Sequence, residues 1–166
     1  MGVCGACGSD PKSIVRHAKK RYREEKEAGD RFDKVYCVFD RDTHAGYAEA
    51  LDAIARATPK DTYIAITSIP CFEYWLLLHF RYTTKPYEPA PGQSACSQVI
   101  ADLKQYLPDY AKGQVALFSR LIDQLNDAKH NAQRVLQAAG IDRSANPSTR
   151  VHELIDFLQN IKKETA

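Results

Sequence analysis

Two short runs of β-branched and aromatic residues, Lys34-Val-Tyr-Cys-Val-Phe39 and Thr62-Tyr-Ile-Ala-Ile-Thr67, constrain this chain more than any other feature. Each is apolar on successive residues rather than alternate ones, as expected of a strand buried on both faces. Between them Tyr47, Ala48, Leu51, Ile54 and Ala55 recur at helical spacing. The helix they predict ends near Thr58-Pro59, because a residue before proline is pushed out of the helical region. Strand, helix and strand make a βαβ unit, which implies a parallel pair with a right-handed crossover. An α/β fold follows, with a parallel sheet between helices.

Asp10-Pro11 is a strong helix start and Gly29 a stop, so a helix should run from about Pro11 to Ala28. It carries Lys12, Arg16, Lys19, Lys20, Arg21, Arg23 and Lys26, with Glu24, Glu25 and Glu27 towards its end. Such a helix reads first as a solvated surface laced with i,i+4 pairs; phosphate contact is the alternative. After Pro70, CFEYWLLLHF is apolar nearly all round and predicts a short, buried helix. Thr83 to Ser94 holds three prolines and a glycine and separates an α/β region, about 1–82, from a helical region, about 95–166, of one domain spanning 1–166. The helical region should contain helices over about 95–107, 113–139 with Gly140 as stop, and 148–161 after Asn146-Pro147. Two parallel strands cannot make a stable sheet, so a strand is missing from this inventory. Either the N-terminal residues pair, or a homodimer forms through the sheet edge, or a strand has been lost from the N-terminus.

With 166 residues, 44% of them hydrophobic, and a net charge of +2, the chain suits one soluble domain whose core needs no disulfide or structural metal. Its most apolar window, Phe72 to Phe80, is interrupted by Glu73 and His79, so no membrane span is expected. The start, MGVCGACGSD, lacks a secretory signal pattern, which predicts a cytoplasmic protein. Five cysteines are an odd set that suits a reducing compartment with free thiols. Cys4 and Cys7 form a CxxC, but a zinc site needs two further ligands and no second CxxC or HxxxH follows. Cys37 reads as core.

Ligands of parallel α/β sheets gather beyond the carboxyl ends of the strands. There the first strand ends in Asp40-Arg41-Asp42, and the second runs through Ser68-Ile69-Pro70 to Glu73 in the first turn of the apolar helix. Three carboxylates at one sheet edge would suit Mg²⁺, which prefers oxygen donors and completes its shell with waters and substrate phosphates. Phosphoryl transfer or phosphodiester cleavage is the natural chemistry of such a site. The bland alternatives are an aspartate capping a turn and a glutamate placed favourably at a helix N-terminus. His44 could shuttle protons or contact a phosphate, or be a surface loop residue. Arg41 could steady a phosphate or pair with a nearby acid. His79 could be a base, although its distance along the helix from Glu73 favours a hydrogen-bonded core histidine. No nucleophile elbow, phosphate-cradling glycine loop or dinucleotide fingerprint is present.

Gly8-Ser-Asp-Pro11, Val35-Tyr-Cys-Val-Phe-Asp-Arg-Asp42, the block Ser68 to Phe80 and, more weakly, Asn146-Pro-Ser-Thr149 with Val151-His152 resemble the RloB-like family. Its members are bacterial proteins encoded near restriction-modification and phage-defence genes, commonly beside an AAA-type ATPase. The family is similar to Toprim-like nucleases, in which a DxD pair and an upstream glutamate coordinate magnesium. The resemblance therefore implies a Toprim-like, Mg²⁺-dependent nuclease of an antiphage or abortive-infection system. Asp40 and Asp42 match the DxD, and Glu73 and His79 match the acidic and histidine positions of the apolar helix. Implied partners are DNA or RNA and an AAA-type ATPase. Other readings are a non-catalytic module of that ATPase and a small-molecule phosphatase or phosphotransferase. Family members usually begin with a strand leading into EGxxTE, and nothing of that kind precedes Asp10. The expectation is thus a member that starts late, whose independent catalysis the missing glutamate puts in question.

Overall fold

The computed structural model describes residues 2–5, 8–41, 45–142 and 145–161. Its elements in chain order are α1 (Pro11–Glu27), β1 (Val35–Asp40), α2 (Tyr47–Ala55), β2 (Tyr63–Ile69), α3 (Glu73–Leu77), α4 (Ala95–Leu103), α5 (Leu117–Leu121), a 3₁₀ turn (Ile122–Gln124), α6 (Leu125–Asp142), β3 (Ser148–Thr149) and α7 (Val151–Asn160). The fold is α/β, with a three-stranded mixed sheet in the order β1-β2-β3. The chain divides into two compact units, Met1–Ile66 and Thr67–Ala166, so the division falls inside β2.

In the first unit α1 begins where its cap predicts: the Asp10 carboxylate accepts from the Ser13 amide at 2.9 Å, and Pro11 occupies the first turn. Val15 of α1, Cys37 and Phe39 of β1 and Ala50 of α2 form the buried core, with Ile14, Leu51 and Ile54 packed around them. Tyr22 of α1 meets Tyr63 at the start of β2, ring centroids 5.5 Å apart. One expectation is corrected here. β1 is not buried on both faces, since Val38, between inward-facing Cys37 and Phe39, is 44% exposed; α1 and α2 cover only the Cys37 and Phe39 side.

In the second unit every residue of α3 is buried, and single turns carry the chain on to Phe80. The proline-rich stretch 83–94 is a loop. It is stitched into this unit: Tyr74 Oη donates to the Thr83 carbonyl, Tyr87 is fully buried, and its hydroxyl donates to Asp102 at 2.9 Å. Asn146 clamps the same stretch by donating to the Tyr87 carbonyl at 2.8 Å. The helix expected over 113–139 is broken, because Ala116 adopts a left-handed conformation (φ 65°) and α5 and the 3₁₀ turn precede α6. Gly140 lies inside α6 rather than ending it.

The missing strand is found in an unexpected place. Ser148 and Thr149, expected to open a helix, instead form β3, antiparallel to Ser68–Ile69 of β2. The all-parallel sheet is therefore a mixed one. Ser148 and Thr149 are short and hydroxylated, equally able to cap a helix or to pair as strand; here Thr149 Oγ1 meets Ser68 Oγ at 3.0 Å and the Arg150 amide donates to the Thr67 carbonyl at 2.8 Å. α7 then starts at Val151. Among the described residues, no helix is long and apolar enough to cross a membrane. Replacing the α1 cap, Asp10→Ala, should lower stability by about 1 kcal/mol, read as a shifted urea midpoint with unchanged m.

Candidate functional site

Asp40 sits half-buried at the carboxyl end of β1, where the sheet-edge rule places it, and half-buried Arg41 follows. Asp42, Thr43 and His44 lie outside the described residues. The chain resumes at Ala45, and Gly46 opens α2 against α1: a Cβ added there would meet the Lys12 side chain at 2.8 Å. Lys12 is also one end of a groove of about 890 Å³ between α1 and α2. Lys12, Arg16, Lys19, Arg23 and Lys26 line it from α1, and Arg56 lines it from beyond α2. Its floor is apolar, with Val15, Tyr22, Ala50 and Tyr63 among the residues that line it. From Lys12 to Lys26 the helix rises about 21 Å.

Lys12 pairs with Glu49 at 3.0 Å, while Lys19 donates to the Ala53 carbonyl at 2.8 Å and Arg16 to Ser13 Oγ at 3.3 Å. The acids of α1 are used elsewhere: Lys20 pairs with Glu24, and Arg21 with Glu24 and Glu25. The solvated-face reading holds for Lys20 and Arg21 with their i,i+3 and i,i+4 pairs, and Lys12, Arg16, Arg23 and Lys26 of the groove-lining stripe are likewise exposed. The stripe positions, 12, 16, 19, 23 and 26, step by four and three, the repeat of one helix face, and that spacing was the available signal.

Glu73 and His79 belong to the second unit. Glu73 is 4% exposed. Its Oε1 accepts from Tyr110 Oη at 3.1 Å and pairs with Lys112 Nζ at 3.2 Å, and its Oε2 lies 3.4 Å from Cys96 Sγ. Burial, and then the Glu73 charge, push the Tyr110 phenol up, which keeps it a donor. Sequence reading missed Tyr110, Lys112 and Cys96, since partners so distant along the chain leave no local pattern. The expectation of free thiols is corrected: Cys71 and Cys96, 25 residues apart, form a disulfide, because α3 and α4 pack against each other and bring the two sulfurs together. Cys4 is exposed, with Sγ 3.1 Å from His17 Nε2, and Cys7 lies outside the described residues.

His79 is a core residue. Its Nδ1 donates to the Trp75 carbonyl at 3.1 Å, which leaves Nε2 as the unprotonated nitrogen, and its ring meets the Trp75 indole edge-on at 4.9 Å. Burial lowers its pKa against the opposing pull of the Trp75 and Leu76 carbonyls. Burial likewise lowers His152, whose Nδ1 has no hydrogen-bond partner among the described residues.

A family model described as RloB-like protein matches residues 3–158, almost the whole of a chain with this strand, helix and sheet order. The chain belongs to the RloB-like family. No curated protein and no solved structure matches it. In this RloB-like chain the block Ser68 to Phe80 holds the end of β2 and the whole of α3, with Glu73 and His79 both buried on it.

Both buried histidines make stability depend on pH with a fixed sign. Their folded pKa values lie below the unfolded value of 6.5, so below that pH the unfolded chain binds more protons than the folded one. Stability should be fully present above about pH 6.5 and fall as the pH drops towards the folded values. Denaturant midpoints between pH 5 and 8 measure this, and His79→Asn, which can still donate to Trp75, should flatten the acid side of the curve.

Proposed function

We propose that this RloB-like domain binds a nucleic acid strand along the α1–α2 groove and cleaves it in a Mg²⁺-dependent reaction at the Asp40 edge of β1. The cationic stripe on α1 carries this reading. Its length of about 21 Å corresponds to roughly six base steps of a duplex axis, far more than a small phosphate ester would occupy. A polymer is therefore favoured over a small-molecule phosphatase substrate. Lys12, which lines the groove, packs against Gly46, and Gly46 follows Asp40 by six residues in the chain.

The donors suit the ion. Asp40 and Asp42 are hard oxygen ligands, and Mg²⁺ commonly takes one or two carboxylates and keeps waters for the rest of its shell. Asp40 and Asp42 would hold it, and when bound it supplies positive charge to the scissile phosphate. Arg16, Lys19 and Arg23 position the backbone phosphates, and Arg41 adds a guanidinium beside Asp40 that can grip a phosphate in two places. His44, two residues beyond Asp42, is the candidate to carry a proton. Glu73 is left to Tyr110 and Lys112, and His79 to Trp75.

Oligonucleotides of DNA and RNA, single- and double-stranded, test this with and without Mg²⁺. Asp40→Asn with Asp42→Asn should abolish cleavage and spare binding. Arg16→Ala, Arg23→Ala and Lys26→Ala together should weaken binding for every sequence and reduce the salt slope by about 2 to 3, at roughly 0.7 to 0.9 per lost contact. Absence of any strand binding at low salt would sink the proposal.

A second reading, docking on an AAA-type ATPase in phage defence, has an observation of its own. Val115, Phe118 and Ile122, before, within and after α5, are exposed by 89%, 69% and 41%. On that reading Val115→Asp with Phe118→Asp abolishes co-purification with the ATPase while nucleic acid binding is unchanged.

A further inference from the structure

Cys71 follows β2, Glu73 opens α3 and Cys96 stands in the first turn of α4. One donor atom from each lies within 4.8 Å of the others, and all three residues are buried. A disulfide explains the two sulfurs but not the carboxylate. A disulfide sulfur has no proton to donate, so Glu73 Oε2, 3.4 Å from Cys96 Sγ, gains no hydrogen bond from it. A buried carboxylate oxygen without a donor is costly, and a bound cation is one of the usual remedies. The other oxygen, Oε1, is fully occupied by Tyr110 and Lys112. Glu73 is thus held from one side, with its second oxygen aimed at the sulfurs.

We infer that Cys71, Glu73 and Cys96, in the reduced protein, bind one thiophilic divalent cation of the Zn²⁺ class, and that the disulfide is the oxidised, metal-free form of the same site. Zn–S and Zn–O bonds of about 2.3 and 2.0 Å in a tetrahedron put sulfur and oxygen about 3.5 Å apart and the two sulfurs about 3.8 Å apart. The Cys96–Glu73 edge, at 3.4 Å, already has that length. The sulfurs must separate and the Cys71–Glu73 edge, within 4.8 Å, must settle to that length, movements within reach of cysteine side-chain torsions with the two Cα atoms 5.7 Å apart.

Charge closes as well. Two thiolates and a carboxylate carry three negative charges, and the cation with the Lys112 ammonium, 3.2 Å from Glu73 and 3.7 Å from Cys96 Sγ, carries three positive ones. Tyr110 and Lys112 act as outer-shell partners that orient the ligating carboxylate. Three protein ligands leave the fourth position for water or a substrate atom, the pattern of open zinc sites. Two sulfur donors exclude Mg²⁺ as the natural occupant, so this site is independent of the nuclease reading.

The redox step balances with a dithiol as reductant. It transfers two electrons and two protons to the Cys71–Cys96 bond, giving two thiols and the oxidised dithiol. Zn²⁺ then displaces both thiol protons to solvent. A low-molecular-weight disulfide runs the sequence backwards and releases the metal.

The full chain, reduced with a phosphine and held anaerobically, is titrated with Zn²⁺ against a chromophoric chelator and with Co²⁺ in the spectrometer. One tight equivalent and a thiolate-to-cobalt charge-transfer band are expected, with no tight binding to the oxidised protein. Tyr110→Phe should weaken affinity by about 10-fold or more, and Cys71→Ser, Cys96→Ser and Glu73→Gln by at least as much. Cys4→Ser with Cys7→Ser should leave it unchanged. A readout without substitution guards against misfolded variants: Zn²⁺ should slow alkylation of Cys71 and Cys96 in the reduced wild type, followed by peptide mass spectrometry. Equal affinity of the oxidised protein, unaltered alkylation, or binding that follows Cys4 and Cys7 would each overturn the assignment.

Discussion

A carboxylate set in the first turn of a helix whose other residues are Tyr74, Trp75, Leu76 and Leu77 must find inside the protein what water would otherwise supply. The effective penalty for an unpartnered buried ion is several kcal/mol, comparable with the whole stability of a domain. The second unit is arranged around that requirement. The turn after α4 returns Tyr110 and Lys112 to Glu73, so that one carboxylate oxygen is held by a phenol and an ammonium. Lys112 remains 64% exposed, so the ion pair is partly screened and its own contribution is small. Its importance lies in leaving no charge alone.

In the first unit the corresponding constraint is the rotation of α1. Val15 and Tyr22, seven residues apart, are buried, one in the core with Cys37 and Phe39 and the other against Tyr63. Burying that stripe fixes which way the helix faces. Lys12, Arg16, Lys19, Arg23 and Lys26 flank it at helical spacing, so the same packing that stabilises the unit aims the cations into the groove.

Much of the fold was legible because it is local. Asp10 and Pro11 mark the start of α1 whatever surrounds them, and the apolar runs around Cys37 and Ile64 read as strands with a helix between. Asp40 followed from the strand that carries it. Errors arose where a residue can satisfy two local patterns. Ser148 and Thr149 can cap a helix or extend a sheet, and the free edge of β2 decided between them. Thr83 to Ser94 is the loop its prolines predict; what composition did not show is that Tyr87 anchors it in the second unit.

From the sequence by itself came the βαβ unit, the capped α1, the apolar α3 with one acid in it, and the carboxylate at the end of β1. Each depends on residues within a turn or a strand of one another, where backbone preference and periodicity act. The tertiary structure alone decided that the sheet gains β3, that the α1 cations face a groove, and that Cys71, Cys96, Tyr110 and the exposed Lys112 gather around the buried Glu73. These are meetings between distant segments, selected by the cost of leaving a strand edge or a buried charge unsatisfied, and no spacing along the chain records them.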